Sequence, residues 1–331
     1  MADEYKYLSE TEKEKRNHIV RIDNKKVDIY IDYSQVTNCP KILNKYYSSN
    51  EHGFNVLRNG EVFASTPFYF NDPFDSSDLF WRGENFPYQA VKEFLKGKLE
   101  PEQVENCITI NQLRKFFSDI IKDFFGIYCL NDGAQEDIFW GYYNDHKGFR
   151  LNLNTELLNQ YWEVKPLKVE YLDHNELLSQ RLILEKKDLE DLTIFPKIIR
   201  WLTVKKDNWQ HENEWRYILG TNSVARLIKY PNDAIESIIL GYKFFDNIPQ
   251  EYLKRGIYKY KFNHEKDLTN WTFEILKFLN QNETLPIFQV ALTADMELYH
   301  QRIHLKEVTE DEAIVEREFS EEQLIALDFD N

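Results

Sequence analysis

Two glutamates, Glu212 and Glu214, stand just ahead of Arg216 in the stretch HENEWRYIL. Laid on a strand, Glu212, Glu214, Arg216 and Ile218 project to one side, and Asn213, Trp215, Tyr217 and Leu219 to the other, which is expected to face the core. Two carboxylates on one polar face would set negative charge beside a developing oxocarbenium ion, as cleavage of a ribosyl C–N bond requires. In that chemistry Glu214 would hold a ribose hydroxyl and stabilise the cation, while Glu212 would orient or activate the acceptor. The same spacing also describes an exposed strand face with a cross-strand ion pair. Lys205, upstream near Trp209, would neutralise a diphosphate or pair with Glu212.

A second constellation is Phe70-Asn71-Asp72-Pro73-Phe74-Asp75, two carboxylates and an amide around a proline turn flanked by rings. Asn71, Asp72 and Asp75 could hydrogen-bond a sugar or a carboxamide, or ligate Mg²⁺, and the same residue types make Asx turns and caps. A third is Trp140, Tyr143 and His146 at three-residue steps. On a helix Trp140 and Tyr143 share a face able to clamp an aromatic ligand, with His146 at the helix end as donor or base; core packing by Trp140 and helix capping by His146 are the structural counterparts.

These groups need elements to hold them. Leu113, Phe116, Phe117, Ile120, Ile121 and Phe124 recur at helical spacing after Asn111, an expected N-cap. GIYCL, GFRLNLN, LKVEY, EWRYIL and SIILG read as strands, IFWGYY as a short helix, and residues 175–201 as a helix broken at Pro196. PIFQVAL and ELYHQRIHL form an expected antiparallel pair. The reading is an α+β fold, a mostly antiparallel sheet flanked by helices, with residues 1–40 as an extension, 41–305 as one domain and 306–331 as an acidic tail, either a peripheral helix or a mobile end.

Composition bounds the function. The chain has 331 residues, 42% hydrophobic and 15% aromatic, a balance that demands a packed interior. Its formal net charge of -15 repels nucleic acid and anionic membranes unless a local basic cleft intervenes. Three widely spaced cysteines suggest neither a disulfide framework nor a zinc site, and a cytoplasmic location is expected. No signal peptide, spanning segment, P-loop, G-x-G-x-x-G or G-x-S-x-G pattern is present. His300 and His304 lie on an expected strand without a third ligand, so no metal site is assigned.

Four stretches together resemble bacterial domain-of-unknown-function family number 2971: LNKYYSSNEHGFNVLRNGEVFASTPFYFNDPFDS, CLNDGAQEDIFWGYYNDHKGFRLNLN, LTVKKDNWQHENEWRYIL and SIILG. Tyr47 departs from the arginine that usually follows the Lys-Tyr pair there. The order of elements, with F-N-D-P-F-D early and E-x-E late, is also similar to ADP-ribosyltransferase folds. That likeness implies an NAD-consuming ADP-ribosyltransferase or NAD glycohydrolase, such as a toxin or defence effector, taking a nucleotide-like small molecule as substrate and a protein as acceptor. The alternatives are a Mg-dependent nuclease using Asp72, Asp75, Glu212 and Glu214, and a non-catalytic protein-binding module.

Overall fold

The computed structural model describes residues 17–22, 25–30, 39–96, 99–142, 145–190, 194–220, 226–246, 248–262, 267–293, 295 and 297–319. The fold is α+β, with mostly antiparallel strands flanked by helices. Where a single domain over 41–305 is expected from sequence, contacts divide the chain into two compact units interleaved along it. The first comprises Met1–Pro40, Phe63–Asn131 and Trp162–Ile228, and the second Lys41–Val62, Asp132–Tyr161 and Lys229–Asn331. Interleaving hides such a division from sequence, since no linker marks it.

In the first unit, strand Glu214–Gly220 runs antiparallel to Phe125–Asn131 on one side and to Leu167–Lys168 on the other. Its interior position explains why both of its faces are buried: Trp215 and Tyr217 on one, Arg216 and Ile218 on the other. Tyr217 meets the Trp162 ring edge-on at 4.8 Å. Ile218 joins the main helical core, in which Trp81, Phe117, Trp201 and Leu202 are closely packed.

Helix Ile110–Phe124 forms as its periodicity predicts, burying Leu113, Phe117 and Ile121. Its N-cap is Thr109 rather than Asn111, because the Gln112 side chain returns the bond and completes a capping box. The expected helix over 175–201 is three helices, His174–Ser179, Lys186–Glu190 and Ile194–Leu202. Pro196 lies in the first turn of the last one, where a missing N–H costs nothing.

The second unit holds an eight-strand order: Gln250–Lys254, Ile257–Lys261, Glu312–Arg317, Leu298–Val308, Ile287–Leu292, Ile235–Leu240, Phe149–Asn154 and Ile42–Tyr47. All neighbours are antiparallel except Ile235–Leu240 with Ile287–Leu292. The stretch 306–319 is thus no peripheral helix: Glu312–Arg317 is an interior strand with Ala313 and Val315 fully buried. Gly241 closes SIILG because a Cβ there would stand 2.1 Å from the His146 carbonyl oxygen. No helix among the described residues is long and apolar enough to cross a membrane.

Candidate functional site

Within the first unit a short supersecondary segment assembles the charges. Strand Val204–Lys206 pairs in parallel with Glu170–Leu172, then turns through the 3-10 helix Asp207–Glu212. Asn213 follows in the left-handed region at φ 41°, and strand Glu214–Gly220 begins. Asn tolerates this conformation better than other branched or bulky residues. Glu212 and Glu214 are therefore not successive positions on one strand face, contrary to the sequence expectation. The left-handed residue reorients the chain between them, and the exposed-face ion pair is excluded because both carboxylates are buried.

Five side chains meet there. Lys205 Nζ donates to Glu212 Oε2 at 2.6 Å and Glu214 Oε2 at 3.5 Å, and lies 3.7 Å from Asp75 Oδ2. Arg216 forks onto Glu214, through Nε to Oε1 at 2.9 Å and Nη2 to Oε2 at 3.0 Å. It forks equally onto Asp75, through Nη1 to Oδ1 at 3.0 Å and Nη2 to Oδ2, and gives a further bond to the Leu202 carbonyl. Such paired, charge-assisted bonds are what lets buried charges persist. The Tyr171 hydroxyl accepts from the Glu214 backbone N–H at 2.9 Å and closes the cluster beneath the strand.

Three carboxylates face two cations, so the network carries surplus negative charge, and its members differ electrostatically. Burial pushes the Glu214 carboxyl up, but Arg216 and Lys205 outweigh it and hold that carboxyl well below its usual range. Burial, reinforced by the neighbouring Glu214, pushes the Glu212 carboxyl up despite its bond to Lys205. Burial also lowers Lys205, yet Glu214 and Asp75 overcome it and hold the ammonium firmly protonated. Glu214 is thus held as the anion, and of the two glutamates Glu212 is the one whose carboxyl is pushed toward its protonated form. Only its Oε2 is held: Oε1 takes no hydrogen bond among the described residues, and 9% of the side chain remains exposed.

The turn over 70–75 is built around the same cluster. Asp72 Oδ1 accepts from the Phe74 N–H at 2.9 Å in an Asx turn, and Asp75 N–H closes onto the Asp72 carbonyl. Ser76, buried at φ 53°, and the Trp201 indole N–H on the Ser77 carbonyl hold the turn down. Asn71 is exposed and faces away from this bonding. Asp72 Oδ2 is buried without a partner among the described residues.

Aromatic rings surround the charges. Arg216 stacks 4.9 Å from the Phe70 ring centre and Lys205 4.8 Å from that of Trp209. Phe74, 62% exposed, has Lys206 at 5.9 Å, and Phe68 has Lys122 at 5.4 Å. Burial lowers the Lys122 ammonium. Tyr171 and Lys122 are members of the site that sequence reasoning missed; the alternation of LKVEY gives no sign that Tyr171 reaches the strand carrying Glu214.

The third constellation does not belong to this cluster. Trp140 lies in the second unit, wholly buried against Tyr46, with its indole N–H donated to Glu136 at 2.7 Å, so it is core and not a ligand clamp. Burial pushes the Glu136 carboxyl up, but His300, Arg150 and Trp140 prevail and bring it down to about 2. His146, also in the second unit, stands at φ 59° after the helix, with a buried, unpartnered Nδ1. Tyr143 lies outside the described residues.

Asp75, Glu212 and Glu214 converge beside Lys205, the arrangement a metal-dependent nuclease would use. All of their oxygens except Glu212 Oε1 are occupied by Lys205 and Arg216 instead, and no group of three or more His, Cys, Asp or Glu among the described residues is arranged to hold a metal. Comparison with protein-family models, curated proteins and solved structures finds no match to the chain.

Proposed function

We propose that the first unit cleaves the N-ribosyl bond of a nicotinamide dinucleotide, as an ADP-ribosyltransferase or NAD glycohydrolase, with Glu212 as the group that handles the proton. The observation that carries this reading is the asymmetry of the carboxylates: both oxygens of Asp75 and of Glu214 are engaged by Arg216, whereas Glu212 has one oxygen anchored and one free, with its carboxyl pushed up.

The chemistry follows from that asymmetry. The bond between ribose C1′ and the nicotinamide ring nitrogen breaks, its electron pair passes to the nitrogen and neutralises the pyridinium charge, and C1′ becomes an oxocarbenium centre. A buried network with surplus negative charge stabilises that cation more strongly than water would, because its dipoles and charges are already oriented. Water or an acceptor nucleophile then adds to C1′ and passes its proton to Glu212 Oε1. A carboxyl raised toward neutrality is a better proton acceptor in this step than one held far below it. Phe74 and Trp209 offer faces for the nicotinamide and adenine rings, and Lys122 and Lys206 are the cations at hand for the diphosphate.

The likeness to domain-of-unknown-function family number 2971 and to the ADP-ribosyltransferase layout belongs to the same proposal. Incubating purified protein with nicotinamide dinucleotide and a cell lysate tests it, following nicotinamide release and the fate of labelled ADP-ribose. Free ADP-ribose would mark a glycohydrolase and labelled protein a transferase; no release under either condition would overturn the reading. A protein-binding module is the second reading, favoured by the exposure of Phe68, Tyr69, Phe74 and Leu79 on one short stretch.

A further inference from the structure

The second unit contains a groove unrelated to the cluster above. Strand Leu298–Val308 carries Arg302 and His304 at alternate positions and Lys306 at the irregularity where its pairing with Glu312–Arg317 shifts register. Together with Asn280 and Thr284 they line a groove of about 410 Å³ beside the turn that joins helix Asp267–Gln281 to strand Ile287–Leu292. All three line that one groove, in a chain of net charge -15.

Their bonding is uneven. His304 is paired with Glu318 and Lys306 with Glu316, the latter from the adjacent strand Glu312–Arg317. Those carboxylates fix the two side chains in place. The Arg302 guanidinium makes no hydrogen bond or ion pair among the described residues, although the held pair follows it on the same strand. Arg302 therefore has its full set of donors available to a ligand.

We propose that this groove binds the phosphoryl group of a small, non-aromatic phosphorylated molecule, a sugar phosphate in class. The guanidinium fork takes two phosphoryl oxygens, and Lys306 adds a second positive charge whose position Glu316 has already set, so little side-chain order is lost on binding. Two of the neighbouring carboxylates are engaged in holding cations, and a doubly charged phosphate monoester competes with them better than a single carboxylate does. Asn280 and Thr284 provide amide and hydroxyl partners for sugar hydroxyls. The remaining wall is formed by the aliphatic Leu279, Leu285, Pro286 and Ile287 together with the Glu283 carboxylate, and no Phe, Tyr or Trp among the described residues lines the groove. A nucleobase would find no Phe, Tyr or Trp ring to stack on, and the His304 ring is already engaged with Glu318, while the volume suits a ligand of small-molecule size.

Calorimetric titration of the full chain with ribose phosphate, inorganic phosphate and unphosphorylated ribose tests the assignment. Ribose phosphate is expected to bind, inorganic phosphate about tenfold more weakly, and ribose not measurably. Arg302→Gln should weaken ribose phosphate about tenfold or more while leaving the melting temperature unchanged, since the side chain is exposed. Equal affinity for inorganic phosphate would assign the groove to the free ion and overturn the sugar. Absence of binding by either phosphate, or binding that Arg302→Gln leaves intact, would overturn the site.

Discussion

At the scale of single residues, the buried cluster distinguishes groups that keep the fold from one that is free to act. Arg216 is fully buried and joins Asp75 and Glu214 through paired bonds. Arg216→Leu would leave two carboxylates without their main partner and should cost about 3 to 5 kcal/mol, read as a lower midpoint in denaturant melts. Glu214→Gln is no mild change either, because it removes the charge that both Arg216 and Lys205 answer. Sequence alone marks Glu214 as the catalytic centre and Glu212 as its helper; the function proposed above exchanges the two. The residue types were legible, since carboxylates with Arg and Lys nearby are chemically conspicuous. Their convergence was not, because Asp75 and Arg216 are 141 positions apart. Asn213, whose left-handed backbone breaks the two-residue alternation that an E-x-E reading assumes, sets the two glutamates in different surroundings.

At the scale of elements, periodicity was the strongest guide. Helix Ile110–Phe124 formed where Leu113, Phe117 and Ile121 require one apolar face, and Phe117 packs edge-on against both Trp81 and Phe86. Phe117→Ala should therefore destabilise the chain by about 3 to 5 kcal/mol. Thr109→Ala removes a capping box from the same helix and should cost about 1 kcal/mol; the two variants measured by one unfolding method give the contrast. An Asn111→Ala change, by comparison, leaves the cap intact. Short elements were harder to read. LKVEY is two strands, Leu167–Lys168 and Glu170–Leu172, because Val169 turns its N–H to the Glu214 carbonyl while the next strand pairs elsewhere. The 3-10 turn Asp207–Glu212, which sets Glu212 against Lys205, carries no periodic signal at all.

At the scale of the whole molecule, the α+β class was readable from alternating strand and helix patterns, whereas the two interleaved units were not. Charge misled the reading near the end of the chain. Glu312–Arg317 is rich in acidic residues on its outward side, yet Ala313 and Val315 face inward and the strand is paired along both edges. Truncation after residue 305 would strip this strand, shorten Leu298–Val308 by its last three residues, and expose the edges of what remains of it and of Ile257–Lys261. Such a chain should lose cooperative unfolding of its second unit and aggregate, as followed by light scattering during a thermal melt.

The central claim is that Glu212 moves the proton while Asp75, Glu214, Lys205 and Arg216 hold the charged frame. Its most direct test pairs calorimetric binding of nicotinamide dinucleotide with nicotinamide release for the wild-type chain and Glu212→Gln, after both show the same melting behaviour. The account predicts that the variant binds the dinucleotide with affinity close to wild type and loses release by about a hundredfold or more. Undiminished release by folded Glu212→Gln, or no dinucleotide binding by the wild-type chain, would contradict it.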